Sequence, residues 1–297
     1  MLRTNTSSLA VQKVKGEIIH PELWVERGYA TTWDGKPKLA VGIGGIVLNV
    51  KIGDPVFGWY ADHLNAGVAV SDPDASRRTA LNVFSCIGNT AKVLTGDAKG
   101  AQGVVVGKTY FFAGRTDRII VHFSDEDLPK LTIGDKVEVE AWGVGLSIDG
   151  FEDIRVLSLS PKLLEAMDVK IQDDKLVVPV AMEIPGRMMG LGVGGGPAEV
   201  GSWEIQTCSP ALNEELRLKN LRFGDLVAVR DVDHDYGRGV YDGGIIVGVI
   251  SHGASDLGGC GPGLAAIFSS KKGRIAPVVD KKANVAFYLD LRKDLAW

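Results

Sequence analysis

Between Asp231 and Gly263 the chain reads Asp-Val-Asp-His-Asp-Tyr-Gly-Arg, then Ser251-His252, then Gly-Gly-Cys-Gly-Pro-Gly. Carboxylates and imidazoles in so short a stretch offer oxygen and nitrogen ligands to a cation, and the glycines permit turns that aim backbone amides at one point. Asp231, Asp233 and Asp235 alternate at strand spacing, so their carboxylates share a face if the strand runs on past Arg230. Like charges placed that way repel unless a cation, an arginine or water screens them. The plainer alternative is an exposed turn in which the same carboxylates cap backbone amides. His252 ends the apolar run Gly244–Ile250 at the mouth of a sheet, where an imidazole serves either as a ligand or as a partner for a main-chain carbonyl. A hairpin turn at Asp242-Gly243 would bring Arg230–Val232 beside Ile250–His252. That pairing makes Asp231 and His252 candidate metal ligands and Asp233 a candidate catalytic carboxylate.

A second constellation, Gly58-Trp-Tyr-Ala-Asp62-His63-Leu-Asn65, sets aromatic, acidic, imidazole and amide groups within eight residues, a composition suited to a polar pocket with an aromatic wall, or else to a decorated loop. Asp62 is the second candidate catalytic carboxylate, His63 the third candidate metal ligand, and Asn65 a candidate binding residue. Should His63 and His252 meet around one ion with two aspartates, the mixed nitrogen and oxygen shell would suit zinc, manganese or iron better than calcium. The turn holding Cys260 and Gly261 can point amides at an anion or a developing oxyanion, or simply turn the chain. Both residues, with Arg238, complete the candidate binding set. Cys86 reads as a small buried residue.

Commoner signatures are missing. There is no G-x-S-x-G, H-E-x-x-H, P-loop or C-x-x-C pattern, so serine hydrolase, zincin and NTPase readings have no direct support. Gly190–Gly196 contains G-x-G-x-x-G, yet Pro197 and then Val200-Gly-Ser-Trp-Glu-Ile205 follow where a dinucleotide site needs a helix to start. A tight loop is expected there.

The elements that must position these groups read as strands. Thirty-eight glycines in 297 residues, scattered rather than periodic, imply many turns. Short apolar or alternating runs predict strands near Leu39–Val50, Gly103–Lys108, Arg118–Phe123, Lys136–Trp142, Ile154–Ser158, Leu176–Met182, Trp203–Cys208, Asp225–Arg230, Gly243–Ser251, Leu264–Ser269 and Asn284–Asp290. Ser160-Pro161 and Ser209-Pro210 each place a capping serine before a proline, and so predict two short helices. A Gly-Asp turn opening a strand recurs at Gly53-Asp54, Gly134-Asp135 and Gly224-Asp225. Asp135 and Asp225 are read as structural, while Asp54 stays open. The expected architecture is mainly β, layered antiparallel sheets or barrel-like units with a few short helices. It divides into an N-terminal β domain (1–160) and a C-terminal β domain (161–297), or forms one layered domain.

A net charge of −4, with 33 basic and 37 acidic side chains interspersed, offers no extended cationic surface to nucleic acid. Three cysteines are too few for a disulfide framework, and no segment suits a signal peptide or a membrane span. A cytoplasmic, homo-oligomeric protein without a membrane partner is expected.

Several of these stretches together, Gly45–Trp59 with Asp62-His63, Asn82–Asn89, Gly224–Asp233 with Tyr236-Gly-Arg238, and Gly258–Gly263, resemble the prokaryotic family named domain of unknown function 4438. The resemblance spans most of the chain. It implies a mainly β fold with layered sheets, implies no established activity, and suggests that relatives carry histidine where this chain has Cys260. Val178–Gly190 bears a fainter similarity to acetamidase/formamidase-like proteins, which points toward C–N bond hydrolysis. The combined expectation is a metal-assisted hydrolase of small amide-like substrates. The alternative is a non-catalytic ligand-binding or scaffolding oligomer.

Overall fold

A computed structural model describes residues 2–23, 28–39, 43–109, 117–192, 197–235 and 238–295. The protein is mainly β. In the N-terminal half, strands Gln12–Ile18, Lys136–Ala141, Thr90–Val93, Gln102–Thr109, Arg118–Phe123 and Val68–Ser71 form, in that spatial order, a closed antiparallel barrel. Alternation builds it: Val137, Val139 and Ala141 turn inward, while Glu138 and Glu140 turn out. The helix Ala75–Phe84, capped by Asp74 on the Arg77 amide, sends Leu81 into the barrel core. Gly16 makes room for it, since a Cβ there would lie 2.7 Å from Leu81 Cδ2.

The C-terminal half is a sheet ordered Arg155–Val156, Gly263–Ser270, Gly239–His252, Leu226–Asp233 and Met182–Pro185, with Trp203–Glu204 also paired to Gly263–Ser270. Residues 244–252 and the strand Gly263–Ser270 are buried on both faces. Barrel and sheet meet where Gly107 lies against Ser251, whose Oγ accepts from the Lys108 amide at 3.3 Å. Ile52, Val106 and Ile120 from the first half join Val229, Val249 and Phe268 from the second in one apolar cluster, so the core is continuous across residue 160. Among the described residues no helix is long and apolar enough to cross a membrane.

Both serine-capped helices are present, Pro161–Ala166 and Pro210–Glu215, with Ser160 and Ser209 accepting from Leu163 and Leu212 amides. All three Gly-Asp turns share one geometry. Glycine takes φ of +91°, +93° and +85°, and the carboxylates of Asp54, Asp135 and Asp225 accept from the amides of Lys51, Thr132 and Arg222 at 2.7–2.9 Å.

Three expectations need correction. Asn284–Asp290 is not a strand: Asn284 caps the Ala286 amide and starts the short helix Val285–Tyr288. Ala75–Phe84 is a helix where none was expected. The Asp242-Gly243 pair does not turn the hairpin. It lies within the strand Gly239–His252, in the bulge of residues 241–244 that faces the single residue Asp231, itself at φ +59°. Residues 40–42 of the expected strand Leu39–Val50 and 193–196 of the expected glycine loop lie outside the described residues.

Candidate functional site

Hairpin register decides what meets His252. Leu226 pairs with Val249 and Val232 with Val240, so the Gly224-Asp225 turn, not Arg230–Val232, lies beside Ile250. Arg230 faces Ile245, seven residues before His252, so Asp231 and Asp233 sit at the far end of the strand, more than about 20 Å from His252 at roughly 3.3 Å per residue. Asp231 Oδ1 accepts from the Gly243 amide at 3.0 Å. Asp233 accepts from Ser269 Oγ at 3.1 Å, and Lys271 lies 3.4 Å from Asp233 and 3.5 Å from Asp235. The structure therefore does not bring these carboxylates to His252.

It does bring Asp62-His63. The Gly253 amide donates to Leu64 O and the His63 amide to Ala254 O, which docks the 62–65 loop on the chain leaving His252. His63 adopts φ +49° in that loop, and Asn65 Nδ2 reaches its carbonyl at 3.4 Å. The two imidazoles then stand 5.0 Å apart, centroid to centroid.

Glu204, which sequence reasoning missed, closes the cluster. Strand Trp203–Glu204 pairs with Leu264–Gly263, and the Thr207 amide donates to Cys260 O, so Glu204 and the Cys260 turn are neighbours. His63 Nδ1 bonds Asp62 Oδ1 at 2.6 Å and His63 Nε2 bonds Glu204 Oε1 at 3.0 Å. The Gly261 amide donates to Glu204 Oε2 at 2.8 Å. Asp62, His63, Glu204, His252 and Cys260 are each at most 5% exposed. Gly190 packs on the same turn, where a Cβ would fall 2.1 Å from Gly259 O. Arg238 stays outside the cluster and holds the carbonyls of Val200 and Ser202, anchoring the segment that leads into Glu204.

The electrostatics follow from two acids flanking one imidazole. Burial disfavours charge on His63, but the charge of Glu204 and the bond to Asp62 prevail and raise it well above the usual histidine range. Burial likewise pushes the Asp62 and Glu204 carboxyls up, and the facing imidazolium overcomes this and holds both low. His252 goes the other way: burial, then the His63 charge, lowers it to about 4. Its Nδ1 lies 3.0 Å from Gly253 O, an acceptor only, so Nδ1 carries the proton and Nε2 keeps its lone pair. Burial raises the Cys260 thiol, opposed by a bond to His63.

One ligand atom each from His63, Glu204 and Cys260 lies within 4.8 Å of the others. Zinc bonds of about 2.0–2.3 Å would draw such atoms slightly closer together. Asp62 behind His63 Nδ1 is a carboxylate of the kind that would fix the tautomer of a histidine holding a metal through Nε2. The donor set fits a divalent transition metal, and it includes His63 from the expected ligands, Cys260 from the expected binding residues and Glu204 from neither. A lone acid between Trp203 and Ile205 carries no motif, and only the fold reveals it.

A comparison with curated proteins returned no match, and the likeness of Val178–Gly190 to acetamidase/formamidase-like proteins is unsupported. A solved structure titled "Crystal structure of TM1086" is similar to this chain at 35% identity and a TM-score of 0.90, over 97% of this chain and 99% of that one. The model "Domain of unknown function (DUF4438), N-terminal" matches residues 29–165, and its C-terminal counterpart matches residues 166–289. The chain belongs to the DUF4438 family.

Proposed function

We propose that His63, Glu204 and Cys260 hold a divalent transition metal, zinc the best match, and that the protein uses it to hydrolyse a small amide-like substrate. The observation that carries this reading is the continuous line Asp62–His63–Glu204 beside the Cys260 thiol, all withdrawn from solvent. Charge accounting favours a metal over a cysteine nucleophile. Exchanging the His63 and Cys260 protons for one dication leaves the net charge of the cluster unchanged. A bare thiolate against the imidazolium would instead add a second unbalanced negative charge in a buried space. When bound, the metal would supply Lewis acidity and a water of lowered pKa. Asp62 positions His63, the Gly261 amide holds Glu204 Oε2 and so leaves Oε1 as the oxygen that would serve as ligand, and His252, neutral with Nε2 unprotonated, is the group suited to accept a proton.

Elemental analysis of protein purified without chelators tests the metal, and ammonia release from formamide and acetamide tests the activity. One equivalent of zinc, manganese or iron is expected, lost in His63→Ala, Glu204→Ala and Cys260→Ala together with the activity. Absence of stoichiometric metal, with no rise in Tm on metal addition, ends the proposal. A second reading, a non-catalytic binding or scaffolding oligomer with a structural metal, is favoured by the burial of all three donors and by exposed Val240 and Tyr60, at 72% and 73%. Bound metal without amide turnover, and a multimer in light scattering, would select it.

A further inference from the structure

Away from the cluster, a cavity of about 740 Å³ opens between the strand Met182–Pro185, the end of the helix Pro210–Glu215 and the turn before Asp225. This lies within the usual range for small-molecule sites. Arg217, Lys219, Arg222 and Lys281 line it, and Met182 and Leu216 add apolar surface. In a chain of net charge −4 such a concentration of cations is unexpected. Among the described residues Arg217, Lys219 and Lys281 form no ion pair. The two acids at the cavity do not neutralise them. Glu183 is paired with Arg230 at 2.6 Å, and the carboxylate of Asp225, 2% exposed, accepts from Asn284 Nδ2 and the Arg222 amide at 2.8 Å each. Arg217 adds a second observation. It holds φ +55° and ψ +37° just past the helix end, a left-handed position where glycine is the usual residue. An arginine there lines the cavity at a backbone position that costs it some strain.

We infer that this cavity binds a small organic anion, a phosphate or carboxylate joined to an apolar body, with the unpaired cations taking the charge and Met182 and Leu216 the body. The inference is independent of the metal reading.

Titration calorimetry with phenyl phosphate, inorganic phosphate and phenol tests it. Phenyl phosphate should bind at least tenfold more tightly than either of the others, and weaken as salt is raised from 50 to 500 mM. Arg217→Ala and Lys281→Glu should each weaken it about tenfold, while Lys281→Arg retains it. Metal content, read on the same preparations, should not change. Equal binding of phenol and phenyl phosphate, or full affinity in both charge variants, overturns the inference. A carboxylate preference is read by repeating the titration with benzoate, and benzoate binding above phenyl phosphate would assign the site to carboxylates.

Discussion

The acidic strand end at 231–235 and the buried cluster of Asp62, His63, Glu204 and Cys260 draw on the same kinds of residue and use them in opposite ways. At the strand end each carboxylate already has an ordinary partner: the Gly243 amide for Asp231, Ser269 and Lys271 for Asp233, Lys271 for Asp235. In the cluster two carboxylates share a single imidazole, with a thiol and a second imidazole alongside and almost no solvent. A run of acids along one strand is tolerable because lysine, hydroxyl groups and water can reach it. Single acids delivered by separate segments into one dry space are tolerable only if each answers a positive charge.

The largest expected consequence lies at Glu204. Glu204→Ala strips the His63 imidazolium of one of its two counter-charges and the Gly261 amide of its acceptor. A loss of about 3–5 kcal/mol in urea unfolding is expected, as for other buried pairs that lose one partner. Asp233→Ala should lose no more than about 1 kcal/mol, its ion pair being nearer the surface. Similar losses in the two variants would erase the distinction between the regions.

Acid should act on the strand end through His234. His234 is fully buried, neither ring nitrogen has a hydrogen-bond partner among the described residues, and burial, then the charge of Arg238, lowers it to about 3. Because the folded pKa lies below the unfolded value near 6.5, the contribution is fully present above pH 6.5 and is lost as pH falls toward 3. The slope is about 1.4 kcal/mol per pH unit, or about 3 kcal/mol by pH 4.5. Unfolding curves at pH 7.5, 6.0 and 4.5 should therefore be less acid-sensitive in His234→Phe by that amount. Identical pH slopes in the two proteins would mean that His234 is not protonated on unfolding in this window.

These residues also show what could be read without a fold. The Gly-Asp turns and the serine-proline helix starts were legible because each is a local device: a positive φ, a carboxylate reaching an amide three residues back, a hydroxyl capping a first turn. Asp62, His63, His252 and Cys260 could be picked out by residue type. Their convergence depends on register: pairing passes from Arg230–Ile245 to Val232–Val240, so residues 241–244 bulge opposite Asp231 and Asp242-Gly243 lies in that bulge, not at the hairpin's turn. Glu204 left no trace, being one acid in an apolar run. The helix Ala75–Phe84 was missed because its exposed face is arginine- and threonine-rich and only Leu81 and Asn82 are buried. Val285–Tyr288, four apolar residues, is too short to have a period, so its Asn284 cap was the one cue.

Asp62 offers a subtler contrast. Asp62→Asn keeps the shape and a hydrogen-bond acceptor for His63 Nδ1 but removes the charge that makes Nε2 basic. Changes of this kind lower metal affinity by about 10–100-fold. Competition with a chromophoric chelator measures it, and Asp233→Asn should leave the affinity where it was. If the two asparagine variants bind metal equally well, Asp62 is a loop residue and not a positioning one.

The smallest effect is expected at Asp231, whose place at the bulge is a matter of backbone geometry. Asparagine tolerates positive φ and its side-chain oxygen can still accept from the Gly243 amide, so Asp231→Asn should change stability by no more than about 0.5 kcal/mol. Alanine can do neither. Its penalty in the left-handed region and the lost hydrogen bond together suggest about 1–2 kcal/mol. Asp231→Gly should fall between, because glycine accepts the φ but supplies no acceptor. Metal content should be the same in all three variants, since the carboxylate lies at the other end of the sheet from His63. A graded loss of metal across this series would show that the strand end and the cluster form one site in solution, and the contrast between them would have to be abandoned.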